Sequence, residues 1–292
     1  MEKLKKGAYT ALGTPLDENG ELCADSLKKE INMQIDAGVS GVLLMGSMGI
    51  QPAVPDKAYS EAAKAASNAV AGRIPLFIGT MDNSVARVLD RIEAIKDCEY
   101  TAAVVTTPFY FVSGENVIVN FFEKIADKSP KPIFLYDLPG VTKIKITYSM
   151  LQRLAKHKNI KGIKSGDIVL GRLVKRNIPD FEFLFSNIDA FDTAVSYGLG
   201  KVLDGMFSAT PVNTKSFIKG INDGNAEDIG KYLDNILYLR DTYLKYGVMP
   251  SYTVSMNKLG FSGHFEPDYM GTVSDSEAAE IIKVMKNIGE LD

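Results

Sequence analysis

The sequence predicts an α/β fold, a (β/α)8 TIM barrel with a C-terminal helical extension. Three observations carry that expectation. About eight short runs are apolar throughout rather than alternating, the pattern of strands buried on both faces of a parallel sheet. Stretches with helical spacing separate them. From roughly Val212 onward the strand runs stop while helical spacing continues. Alternating strands and helices in this number close into a barrel with the helices outside. The expected division is a barrel over residues 1–212 and a helical region over 213–292 packed against it, with no low-complexity linker between them.

Ala8 to Thr14 is a first strand, closed by Pro15. Asp25 or Ser26 caps a helix whose Leu27, Ile31 and Ile35 repeat every four residues until Gly38 stops it. Gly41 to Met45 reads as a buried strand ending in Gly46-Ser47-Met48-Gly49, and an alanine-rich helix runs from about Asp56 to Val70. Ile74 to Thr80 is strand and Ser84 to Ile95 helix. Ala102 to Thr106 is strand, then come the loop Thr107-Pro108-Phe109-Tyr110 and a helix over Val117 to Ala126. Pro132 to Tyr136 is strand, Tyr148 to Lys156 helix, and a strand follows from Asn159 to Lys164, broken by Ser165-Gly166. Phe181 to Phe185 is strand, Phe191 to Tyr197 helix, and Val202 to Ser208 the last strand. Asn225 to Tyr246 and Ser274 to Ile288 carry helical spacing.

Composition narrows the function classes. Hydrophobic residues make up 46% of the 292, enough for a sizeable core. The formal net charge is −3 with no run of like charges, so neither nucleic acid nor a membrane surface is indicated as partner. Cys23 and Cys98 are far apart, and His157 and His264 stand alone, so no metal site is expected. Met1 to Lys6 is basic but no long apolar segment follows, and no run approaches the roughly 20 residues of a membrane span. A soluble, cytoplasmic protein is the expectation.

Lys164 stands out, because lysine is among the residues least often buried and this one ends a core strand. An amine held out of water loses its proton more easily, and the free amine attacks a ketone to form a Schiff base. The ordinary alternative is a lysine whose ammonium reaches water past the strand end. In a parallel barrel, chemistry sits at the carboxyl ends of the strands. Gly46-Ser47-Met48-Gly49, Phe109-Tyr110, Tyr136 and Lys164 all fall there. Tyr136 could relay protons, and the Gly-Ser-Met-Gly loop offers backbone N–H groups and a hydroxyl to a carboxylate.

With these motifs in order, the sequence resembles the dihydrodipicolinate synthase/N-acetylneuraminate lyase family of Schiff-base aldolases. The resemblance spans nearly the whole chain: Thr10-Ala11-Leu12-Gly13-Thr14-Pro15, the Gly46–Gly49 loop, Gly72-Arg73-Ile74-Pro75, Gly79-Thr80 and Thr107-Pro108-Phe109-Tyr110. It continues through Leu135-Tyr136-Asp137-Leu138-Pro139-Gly140, Gly162-Ile163-Lys164 and Gly205-Met206-Phe207-Ser208. It implies that Lys164 forms an iminium with pyruvate or another 2-keto acid, that Tyr136 shuttles protons, that Ser47 links this tyrosine to the site, and that Tyr110 is a second tyrosine reaching a neighbouring subunit. It implies Gly46, Met48, Gly49, Asp137, Asp189, Phe207 and Ser208 as substrate-contacting positions. No cofactor is expected beyond the covalent Schiff base, and the assembly implied is a homotetramer, a dimer of dimers.

Departures from the family pattern bear on substrate. Met48 and Ile50 replace a hydroxyl and an acid in the loop, and Asp137 replaces an asparagine. Val141 stands where the lysine-pathway synthases, 4-hydroxy-tetrahydrodipicolinate synthases, carry an arginine for the aldehyde's carboxylate, with Lys143 or Lys145 as possible substitutes. Asp189 and Ser208 lean toward a hydroxylated substrate, a 2-keto-3-deoxy sugar acid or a sialic-acid-like compound. The expected function is therefore carbon–carbon bond cleavage or formation between pyruvate and an aldehyde. The alternatives are the lysine-pathway synthase and a non-catalytic keto-acid-binding relative.

Overall fold

A computed structural model describes residues 1–292. Eight strands, β1 (Gly7–Ala11), β2 (Gly41–Leu44), β3 (Leu76–Gly79), β4 (Ala102–Thr106), β5 (Ile133–Asp137), β6 (Ile160–Ser165), β7 (Glu182–Phe185) and β8 (Lys201–Asp204), follow one another around a closed barrel. All neighbours are parallel, and β1 pairs with both β2 and β8. The helices between them are α1 (Ala24–Asp36), α2 (Asp56–Val70), α3 (Val85–Ala94), α4 (Glu115–Lys128), the single turn α5 (Pro139–Thr142), α6 (Tyr148–Leu154), α7 (Ile168–Asn177) and α8 (Phe191–Tyr197). After β8 come the short α9 (Met206–Ala209), then α10 (Pro211–Asp223), α11 (Ala226–Tyr246), α12 (Val248–Lys258) and α13 (Asp275–Asn287). No helix is long and apolar enough to cross a membrane.

The alternation of the strands divides the core in two. Tyr9, Leu43, Phe77, Phe134, Leu184 and Leu203 point inward and fill the barrel, with Phe77 edge-on to Phe134 at 5.0 Å. Their neighbours along each strand point outward, into the larger layer shared with the helices. Both faces are dry, which is why the runs are apolar throughout. Leu4 closes the amino-terminal end, its N–H donating to Glu182 (3.0 Å), whose carboxylate also takes the Lys201 ammonium. The open, carboxyl end is left for chemistry.

Four elements differ from the sequence expectation. Helix α7 was passed over in the sequence: it buries Leu170, Gly171 and Val174, and Asp167 starts it by accepting from the N–H groups of Val169 and Leu170. Helices α10 and α12 fill the stretch between the two expected C-terminal helices and their neighbours. The last strand stops at Asp204 rather than Ser208. Asp204 Oδ1 accepts from Met206 N–H (2.8 Å), a local bond that turns the chain into α9.

Behind β1, Glu30 of α1 is fully enclosed. Its Oε1 accepts from Gly13 N–H (3.1 Å), the Ser208 hydroxyl (2.7 Å) and the Tyr252 hydroxyl (3.3 Å), while Oε2 has no partner. Burial pushes its pKa from 4.5 up to about 7, against the pull of those three donors. A carboxyl whose folded value lies above its unfolded one binds a proton on folding. Its contribution is fully present below about pH 4.5 and lost as pH rises through 7. Glu30→Gln should keep the acceptor oxygen and remove the ionisation. We expect its stability relative to wild type to rise between pH 5 and pH 8 by about 1–3 kcal/mol. Thermal unfolding at the two pH values checks this, and an equal difference at both would rule it out.

Candidate active site

The inward positions at the open end bring the predicted chemistry together. On β6, Ile163 and Ser165 face out, so Lys164 faces in; it is 8% exposed. Lys164 lies in register with Tyr136 of β5 on one side and Leu184 of β7 on the other. Its ammonium sits 3.7 Å from the centre of the Tyr136 ring, close enough for the ring face to attract the cation. The Tyr136 hydroxyl lies 3.2 Å from Ser47 Oγ, across the barrel mouth. Lysine, phenol and serine hydroxyl thus form one chain of neighbours.

Ser47 stands on a loop held in a costly backbone conformation. Met45 and Ile50 bracket it with φ of 55° and 45°, left-handed values that a β-branched isoleucine rarely adopts. Gly49 is required where it is. A Cβ there would lie 2.9 Å from the Met45 nitrogen and 3.1 Å from the Leu12 carbonyl oxygen. The N–H groups of Ser47, Met48 and Gly49 donate to no protein acceptor, leaving three donors at the mouth for an anion. Gly46 abuts Leu43. Met48 lies across the mouth against the bare Cα of Gly205, where a Cβ would come within 2.7 Å of its side chain.

Other predicted positions go elsewhere. Asp137 follows an inward residue and therefore faces out. Its carboxylate accepts from Ser165 Oγ (2.7 Å) and Ile146 N–H (3.0 Å) and pairs with Lys145. The contact with substrate expected of it is replaced by a role in tying β5 to β6. Lys145 is shared with Asp167 (3.1 Å), and Lys143 donates to the Gly140 carbonyl, so neither stands in for the missing guanidinium. Ser208 lies on buried α9, bonded to Glu30, because β8 ends four residues earlier. Phe207 packs among Phe191 and Phe217 at 5.9 Å, behind the barrel wall rather than in its mouth. Asp189 is exposed and held by both outer nitrogens of Arg240. That bond lowers its pKa. Tyr110 is 77% exposed, stacked edge-on against Phe111, with Asn83 Oδ1 accepting from its N–H and from that of Phe109.

Sequence reasoning passed over Asp204 and Arg240. Burial raises the Asp204 pKa, opposed by Met206 N–H and by the positive charges of Lys164 and Arg240. An acid ending a barrel strand was the available signal for Asp204. Arg240 comes from a helix outside the barrel and had none.

A sequence profile of the dihydrodipicolinate synthetase family matches residues 4–288. The chain belongs to that family. It is accordingly an aldolase-type enzyme, a carbon–carbon lyase. Among curated relatives, a 4-hydroxy-tetrahydrodipicolinate synthase of Ligilactobacillus salivarius is 27% identical over 87% of this chain and 88% of its own. One of Kosmotoga olearia is 31% identical over 76% and 77%. Among solved structures, a prophage protein of the dihydrodipicolinic acid synthase family from E. coli K12, in complex with pyruvate, superposes with a TM-score of 0.90 at 20% identity, covering 98% of this chain and 99% of that one. The N-acetylneuraminate lyase of Proteus mirabilis gives 0.90 at 18% identity, covering 99% and 100%. The two likenesses share the barrel and its helical extension, so fold alone does not separate synthase from lyase.

Proposed function

We propose that this family member makes or breaks a carbon–carbon bond between a 2-keto acid, pyruvate in the simplest case, and an aldehyde, through a Schiff base on Lys164. The observation that carries the reading is the Lys164–Tyr136–Ser47 chain at the barrel mouth. The Lys164 amine attacks the ketone carbon and water leaves, forming an iminium. This draws electrons from the adjoining methyl, which loses a proton to become an enamine carbon. That carbon attacks the aldehyde, and the Tyr136 hydroxyl donates a proton to the new alkoxide; hydrolysis then frees the lysine. In the cleaving direction Tyr136 takes the hydroxyl proton as the bond breaks. The free N–H groups of the Ser47–Gly49 loop suit the keto-acid carboxylate. The scheme draws on no group outside the chain and its substrates.

Borohydride reduction in the presence of pyruvate tests the reading. A pyruvate adduct on the peptide carrying Lys164 is expected. Folded protein that traps no keto acid would sink the Schiff base, and an adduct without turnover of any aldehyde would favour the keto-acid-binding alternative. Against the lysine-pathway synthase stands Val141, with Lys143 and Lys145 engaged elsewhere.

We further propose a homotetramer built as a dimer of dimers. Tyr110, Phe111 and Val112, each at least 70% exposed on one loop, supply an apolar surface for a second copy. A sedimentation mass of four chains is expected; the mass of a single chain would refute the assembly.

A further inference from the structure

The space in which the aldehyde would lie has a chemistry of its own. A cavity of about 300 Å³ opens beside the Ser47–Tyr136 hydrogen bond. Met81, Phe109, Leu138 and Val141 supply its walls from the ends of β3, β4 and β5, while Met249 and Met270 close it from the helical region. Met81 and Leu138 also pack against the barrel interior that contains Tyr136. Of fourteen lining residues nine are hydrophobic, and none is Asp, Glu, Lys, Arg, His, Asn or Gln. Three hydroxyls face it from the barrel side. Ser47 is engaged with Tyr136, and Thr142 donates to the carbonyls of Leu138 and Ile144. Thr106, in register with Tyr136, is buried without a partner.

Resting on the Schiff-base reading, we propose that the aldehyde half of the substrate is uncharged and apolar, an aromatic or medium-chain aliphatic aldehyde, with Thr106 the buried, unpartnered hydroxyl beside its carbonyl end and the Tyr269 hydroxyl at the exposed rim. With the loop N–H groups taken by the keto-acid carboxylate, a second carboxylate or a row of hydroxyls would meet walls that offer no charged or amide side chain, which such sites disfavour. An apolar chain loses nothing polar on entry and buries its surface. The departures in the sequence agree: Met48, Ile50 and Val141 are each apolar where the family pattern is polar. The residues that leaned toward a hydroxylated substrate are bonded to protein, Ser208 to Glu30 and Asp189 to Arg240. The balanced reaction joins pyruvate C3 to the aldehyde carbon and gives a 4-substituted 4-hydroxy-2-keto acid. One proton moves from the pyruvate methyl to solvent and one reaches the alkoxide through Tyr136. No oxidant or reductant is involved.

The test pairs the wild-type enzyme and pyruvate with benzaldehyde, hexanal, glyceraldehyde and succinic semialdehyde, with products read by mass spectrometry. Borohydride trapping of pyruvate is run in parallel. The expected result is a kcat/KM for benzaldehyde or hexanal at least tenfold above either polar aldehyde. In Val141→Arg, which places a guanidinium at the exposed rim, the ratio of succinic semialdehyde to benzaldehyde should rise at least fivefold. A pyruvate adduct together with preference for a polar aldehyde, or with turnover of none, would overturn the apolar assignment while leaving Lys164 as nucleophile. An unchanged ratio in Val141→Arg would move the aldehyde out of this cavity. Absence of the adduct would instead remove the Schiff-base reading on which the inference stands.

Discussion

Lys164→Ala should abolish the borohydride-trapped adduct and lower turnover by more than about 10⁴-fold, the scale of losing a covalent nucleophile. The variant should remain folded. Lys164 lies at the open end of the barrel, and the interior cluster that includes Tyr9, Phe77 and Phe134 is built without it. Removing a buried ammonium also removes a desolvation cost, which offsets the packing lost with its methylenes. Thermal unfolding within a few degrees of wild type, measured beside turnover, separates loss of chemistry from loss of structure. Residual turnover within tenfold of wild type would mean that bond making and breaking proceed without an iminium at this position. Lys161, on the same strand but three residues below, is the internal control: Lys161→Ala should leave the adduct in place.

How much of this site was legible in the sequence depends on which physical rule each residue obeys. Lys164, Tyr136 and Ser47 were readable because strand ends and their glycine breaks are local features, and a barrel turns three strand ends into one site. The barrel itself was readable for a similar reason, since strands buried on both faces cannot hide their composition. Asp137 was misplaced although the rule that places it is also local: a residue after an inward tyrosine must face outward, and its partners Ser165 and Lys145 lie on that side. Ser208 was misplaced because a single side-chain bond, Asp204 to Met206 N–H, ends the strand early, and periodicity carries no trace of such a bond. Asp189 and Arg240 meet across 51 positions, as Glu30 and Ser208 meet across 178. Such pairings belong to the packing of α11 and α1 on the barrel, and residue types alone do not specify them. The cavity walls were hidden for the same reason. Met249 and Met270 come from the helical region and meet Val141 only once the chain is folded.

Tyr136→Phe separates the two things this residue is placed to do. The phenylalanine keeps the ring beneath Lys164, and with it the contact at 3.7 Å, but removes the hydroxyl that lies 3.2 Å from Ser47. If the phenol carries the proton to and from the substrate oxygen, turnover should fall by about 10²–10⁴-fold, the usual contribution of a positioned acid–base group. Pyruvate should still be trapped on Lys164, because the lysine, its ring neighbour and the free N–H groups of the Ser47–Gly49 loop remain. Ser47→Ala should act in the same direction with a smaller effect, since it leaves the phenol in place and removes only its hydrogen-bond partner. Quantifying the borohydride adduct and steady-state turnover on the same preparations distinguishes the outcomes. Loss of both together would make Tyr136 a support for the lysine rather than a proton carrier. Turnover within tenfold of wild type would assign the proton to another group, and Thr106, buried in register beside Tyr136 with its hydroxyl unpartnered, would be the next to replace.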